Sequence, residues 1–200
     1  MPQFDLRGIK VAKYVNTSGT ITYTGKQSAG DAMQCNLELR FAEGRLYAES
    51  TLAEYIRKAV GGTISLGVKY LPDAVKQLLF GATAKTRNVT YTSGTTTTTT
   101  SVSGTVIGAR SEGSYVGLAC YAPDMVDGEE KFTCVFIPKV LFGPPSLNLQ
   151  TAGQNIVFNT PVTSGEFLAS DAASKDLIET AIADSEEAAK AWVDAVFNAS

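Results

Sequence analysis

The feature that most constrains this chain is alternation. Apolar and polar residues exchange places at every step through segment after segment, and a period of two is the mark of a half-buried β-strand. Cys35, Leu37, Leu39 and Phe41 fall on one side of an extended backbone, with Gln34, Asn36, Glu38 and Arg40 on the other. Gly44, between Glu43 and Arg45, predicts a turn before Leu46 and Ala48 alternate against Tyr47 and Glu49. Ile64, Leu66 and Val68 alternate with Thr63, Ser65 and Gly67. Ile9 to Val15 and Thr20 to Thr24 predict a hairpin about Ser18-Gly19. Tyr115 to Tyr121 and Phe132 to Ile137 predict another, its turn marked by Asp127-Gly128 because both residues tolerate positive φ. Asn155 to Asn159 and Glu166 to Ala169 predict a last pair. Short strands at such regular spacing imply a mainly β protein, an antiparallel sandwich or barrel.

Two segments follow helical spacing instead. Pro72 suits a first turn, Asp73 suits the dipole, and Val75, Leu78 and Leu79 form an apolar face closed by Gly81, which predicts one short internal helix at about 72–80. Ala189, Trp192, Val193 and Val196 predict a C-terminal helix at about 185–197, with Asp184 as cap and Glu187 completing a capping box. Between Lys175 and Ile182 helix and strand both fit.

One segment fits neither period. Thr83 to Gly108 contains six consecutive threonines, Thr95 to Thr100, flanked by Ser93-Gly94 and by Ser101, Ser103 and Gly104. Threonine is β-branched and favours extended backbone, yet nothing in the run alternates toward a core. The segment therefore reads as an extended arm of two limbs with a Thr/Ser/Gly tip; a surface insertion without a partner is the other reading. Charge is also segregated. Ala74 to Ser111 holds Lys76, Lys85, Arg87 and Arg110 with no acid, whereas Ser174 to Ser200 holds six acids against Lys175 and Lys190. Opposite segments of this kind either steer one copy onto another or are two solvated faces.

Composition narrows the function. At 200 residues the chain reads as one domain, 1–200, carrying the inserted arm 83–108 and the acidic segment 174–200. A net charge of −3 argues against an electrostatic nucleic-acid binder. The absence of histidine removes Ser-His-Asp and Cys-His chemistry, the commonest general base and most zinc sites. Cys35, Cys120 and Cys134 form no C-x-x-C and lie in apolar runs, so they read as reduced core thiols in a reducing compartment. The opening Met1-Pro2-Gln3-Phe4-Asp5 has no signal-peptide character, and no apolar run approaches a membrane span, so a soluble intracellular protein is expected.

Candidate chemistry is scarce. Gly108-Ala109-Arg110-Ser111-Glu112-Gly113 misses the spacing of a serine elbow by one residue. Asp124, Asp127, Glu129 and Glu130 lack the EF-hand pattern and read as a solvated turn. Trp192 sits on a helical apolar stripe and reads as packing. Neither catalytic residues nor a metal or cofactor is predicted.

The order of features resembles the major tail protein family of long, non-contractile-tailed bacteriophages. The resemblance begins in Leu6-Arg7-Gly8-Ile9-Lys10-Val11-Ala12 and continues in Gly62-Thr63-Ile64-Ser65-Leu66-Gly67-Val68, then Leu71-Pro72 and Leu78-Leu79-Phe80-Gly81-Ala82. It resumes at Tyr115-Val116-Gly117-Leu118 and Phe132 to Val140, and closes with Phe158 to Ala169 and the acidic helix Glu186 to Val193. It covers nearly the whole chain outside the arm, and the ordered series carries it. The resemblance implies a β-sandwich whose copies form hexameric rings, stacked into a tube through which genomic DNA passes unbound. It implies tape-measure and tail-terminator proteins as further partners, no membrane, and a place in the virion tail after assembly in the host cytoplasm. It also implies a strand at Glu179 to Ala183. The matching inter-ring arm would use Lys85, Arg87, Tyr91 and Thr95, Thr96, Thr97, Thr98, Thr99 and Thr100, and Glu38 and Glu49 would be candidates for the lumen wall. The alternative is a monomeric β-sandwich that binds a ligand or a cell surface.

Overall fold

The computed structural model describes residues 5–48, 51–126, 128–146 and 160–198. Among them lie ten strands and two helices, and the protein is mainly β with antiparallel sheets. The strands are β1 (Arg7–Thr17), β2 (Thr20–Ser28), β3 (Ala32–Ala48), β4 (Thr51–Val68), β5 (Thr83–Ser93), β6 (Thr96–Val106), β7 (Val116–Val126), β8 (Glu129–Phe142), β9 (Val162–Phe167) and β10 (Glu179–Ala183). Helix α1 spans Asp73–Phe80 and α2 spans Glu186–Ala195. Neither is long and apolar enough to cross a membrane.

Seven strands run β2-β1-β7-β8-β9-β4-β3 through one sheet, and β10 joins it on β8. The sheet divides at β8. Its first half, Phe132 to Phe136, pairs β10, while its end, Val140 to Phe142, pairs β9. Beyond that division β9, β4 and β3 lie across from β1, β7 and β8, and the core fills the gap. Ile9 and Val11, Val116 and Leu118, and Ile137 and Val140 meet Ile64, Leu66 and Phe167 there, with Val75 and Leu79 of α1 in the same cluster. A second core forms on the other face of β1, β7 and β8. Ala12, Ala119, Tyr121, Phe132, Cys134 and Phe136 pack beneath Ala189, Val193, Val196 and Phe197 of α2 and its continuation. Strand β7 is therefore buried on both faces from Val116 to Asp124, which is why its apolar residues run on without alternating.

Several expectations change in detail. Gly44 is not a turn: β3 runs through it to Ala48, with Gly44 opposite Ile56 of β4. Glycine there has open space on its Cβ side and extended neighbours, so it interrupts nothing. Pro72 caps α1 rather than opening its first turn, and Gly81 ends the helix at φ 62°. The cap of α2 is Ser185, whose hydroxyl accepts from the Ala188 N–H at 3.2 Å. Asp184, one residue earlier, instead receives the Lys131 ammonium at 3.1 Å. The strand expected at Glu166 to Ala169 is β9, Val162–Phe167, and pairs β4 and β8; Asn155 to Asn159, its expected partner, lie outside the described residues. The segment that fitted both helix and strand contains β10, Glu179–Ala183.

Candidate self-assembly surfaces

Strands β2 and β3 end the main sheet, and among the described residues each is paired along one side only. An unpaired strand edge is a row of backbone donors and acceptors open to another chain.

Two hairpins leave the body. The first is the far half of β3 and β4. Gly62 marks where it departs: a Cβ there would fall 2.1 Å from the Glu38 carbonyl oxygen and 2.4 Å from the Phe167 ring, so only glycine lets the strands close over that buried ring. Next to it the register slips between Arg40 and Phe41, a bulge that passes over Val60. From there toward the turn the described side chains are exposed, Leu46 at 58% and Ile56 at 56% included. One face of this hairpin is internally paired. The Arg57 guanidinium stacks 3.8 Å from the Phe41 ring centre, and Glu43 meets Arg45 and Arg57 at 3.4 Å each. A hydrogen bond from Tyr55, helped by the two arginines, holds the Glu43 carboxyl below its usual range. This projection is not legible as alternation, because Tyr47 to Ile56 keeps no period of two and Gly44 resembles a turn.

The second hairpin is the expected arm. Strands β5 and β6 pair over their whole length, Thr83 with Val106 down to Ser93 with Thr96, as a separate two-stranded sheet. The turn is Gly94-Thr95, so Thr96 to Thr100 form a limb instead of the tip. At roughly 3.4 Å per residue each limb spans about 35 Å. Its two faces differ. On one, hydroxyl groups pair across the strands: Thr90 with Thr99 at 2.8 Å, Thr92 with Thr97 at 3.2 Å, Thr86 with Ser103 at 3.1 Å, and Ser101 donating to Asn88 at 2.8 Å. On the other, Lys85, Arg87, Val89 and Tyr91 stand beside Val102, Thr100 and Thr98. All of these are exposed. The predicted residues thus split between faces: Lys85, Arg87, Tyr91, Thr96, Thr98 and Thr100 on one, Thr97 and Thr99 on the other, and Thr95 in the turn.

Glu38 is exposed on the outer face of β9, β4 and β3, where Thr63 lies opposite both it and Glu166. Arg40, two residues along β3, reaches Glu166 at 3.2 Å. The face thus mixes both signs of charge. Glu49, the other candidate for a lumen wall, lies outside the described residues.

Half of the acidic segment is neutralised within its own chain: Asp184, Glu186 and Asp194 form ion pairs, whereas Asp176, Glu179 and Glu187 have no ion-pair partner among the described residues. Asp194 receives Lys10 at 2.7 Å and Lys26 at 2.6 Å, and those bonds hold its carboxyl below the ordinary range. Glu186 meets Lys190 at 3.0 Å, the Tyr121 hydroxyl at 3.0 Å and Arg7 at 3.2 Å, and its pKa is lowered too. Burial, together with that bond to Glu186, pushes Tyr121 up to about 12. Asp171 accepts from Lys139 at 2.8 Å and is likewise lowered. These pairs clamp α2 and the loop between β9 and β10 onto β1, β2 and β8. A concavity of about 490 Å³ remains between α2, the β1–β2 turn and β8, with Tyr23, Phe136, Pro138 and Trp192 in its wall and Asp176 and Glu179 at its polar side.

Among the described residues no group of three Cys, Asp or Glu side chains is placed to hold a metal ion. Cys35, Cys120 and Cys134 are free thiols; Cys120 is pushed up by its hydrogen bond with Cys35 and by burial. No protein-family model matches the chain, and no curated protein matches it.

Proposed function

We propose that this chain is a structural subunit that assembles with copies of itself into stacked rings, the tube of a long non-contractile phage tail. One observation carries the reading: the main sheet wraps a complete core yet ends in two strands, β2 and β3, each paired along one side. Joining β2 of one copy to β3 of the next satisfies both edges, and repeated around an axis it closes a ring. The two exposed hairpins then supply contacts along the axis, a heterologous direction that generates a filament. The mixed charges of Glu38, Arg40 and Glu166 suit a wall that DNA passes, since a uniformly basic wall would bind it through counterion release. The ordered sequence resemblance supports the same function, with six copies per ring, tape-measure and terminator proteins at the ends, and the virion tail as location. On this reading the protein performs no catalysis.

Negative-stain microscopy of the purified chain across a concentration series tests the proposal. Rings or tubes are expected. A monomeric particle at the highest concentration would overturn it in favour of a monomeric binding module.

A further inference from the structure

We propose that the arm of one copy docks, by its Lys85–Tyr91 face, into the concavity beside Trp192 on another copy. The proposal rests on the self-assembly reading and names the two surfaces that meet. An isolated two-stranded hairpin is marginal in water, so a ribbon standing off the body needs cover on one face. The hydroxyl face needs none, because its polar groups already pair across the strands. The opposite face carries Tyr91 at 51% and Val102 at 53% exposure, beside Lys85 and Arg87, which have no ion-pair partner among the described residues.

The concavity offers what that face lacks. Its wall is aromatic and apolar, and Asp176 and Glu179 stand at its polar side. Unlike Asp194, Glu186 and Asp171, these two carboxylates have no cation within ion-pair distance among the described residues; the Asp176 carboxylate accepts from the neighbouring Ser174 hydroxyl. Lysine and arginine beside an indole and two carboxylates gain ion pairing and cation–π attraction together. The occupant belongs to a second copy because the arm forms its own two-stranded sheet and meets its own body chiefly at α1, whereas the concavity is walled by α2, the β1–β2 turn and β8.

The lone tryptophan makes the test direct, since Trp192 is the chain's one indole. Two full-length variants are made, Lys85→Glu/Arg87→Glu and Asp176→Lys/Glu179→Lys. In each alone the arm and concavity carry like charge; mixed, every contact between unlike copies is complementary again. Wild type is expected to lose acrylamide quenching of Trp192 as it stacks. Each variant alone should stack about tenfold more weakly, with Trp192 still open to quencher, and the mixture should recover both stacking and protection. Recovery on mixing also shows that both variants fold. Wild-type stacking by either variant alone, or a mixture that fails to recover, overturns the contact while leaving assembly through the sheet edges standing. A wild-type chain that remains monomeric overturns the assembly reading and this contact with it.

Discussion

At the scale of single residues, the account turns on groups that fix backbone direction or hold α2 in place. Gly81 ends α1 at φ 62°, and a Cβ there would lie 2.2 Å from the Glu112 carbonyl oxygen. Gly81→Ala is therefore expected to cost at least about 1–2 kcal/mol, the penalty of a left-handed non-glycine residue, read from the denaturant midpoint. Asp194 supplies a pH dependence. Its carboxyl is held below the ordinary range by Lys10 and Lys26, so its stabilisation is present above the unfolded carboxyl pKa and is lost as pH falls through the lower folded value. The thermal midpoint should drop from about pH 4 downward, the ordinary carboxyl value, and Asp194→Asn should begin lower and fall less. An identical pH profile for the variant would contradict the clamp. Residue-scale detail was the least legible in sequence. Asp184 and Ser185 are adjacent and both can cap; in the fold Ser185 takes the cap and Asp184 pairs with Lys131 of β8.

At the scale of elements, α2 is a lid whose apolar side completes the second core. Phe197, just past its end, makes edge contacts with Tyr23 at 5.6 Å and Phe136 at 5.5 Å between ring centres. Phe197→Ala is expected to cost about 3–5 kcal/mol and to loosen α2 first, visible as faster amide exchange in Glu186–Ala195. The arm should behave oppositely. It forms its own sheet, so deletion of Lys85 to Val106 should leave the thermal midpoint of the body nearly unchanged while abolishing stacking. Tubes of normal length from that deletion would remove the arm from the assembly. Alternation located most strands because one face of each meets a core. It failed for β3 and β4 beyond Gly62, where the described side chains meet no core and Gly44 resembles a turn. The pairing of threonine hydroxyls was equally hidden, since register between two polar limbs leaves no hydrophobic trace.

At the scale of the whole molecule, the fold class was legible and the interfaces were only partly so. Charge segregation along the sequence suggested a basic arm and an acidic tail, but folding neutralises half of that tail's acids, Asp184, Glu186 and Asp194, through Lys131, Arg7, Lys190, Lys10 and Lys26. What remains unpaired is local, so the electrostatic share of assembly is modest. Raising salt above physiological strength should weaken stacking without dissolving edge-to-edge pairing, because exposed ion pairs are screened and backbone hydrogen bonds are not. The most direct measurement of the central claim is amide hydrogen exchange along β2 and β3 in dilute and in concentrated protein. The account predicts that the outward-facing amides of both strands exchange quickly when dilute and become protected together as copies associate. Rapid exchange on both strands at every concentration, in a particle already seen to assemble, would contradict it.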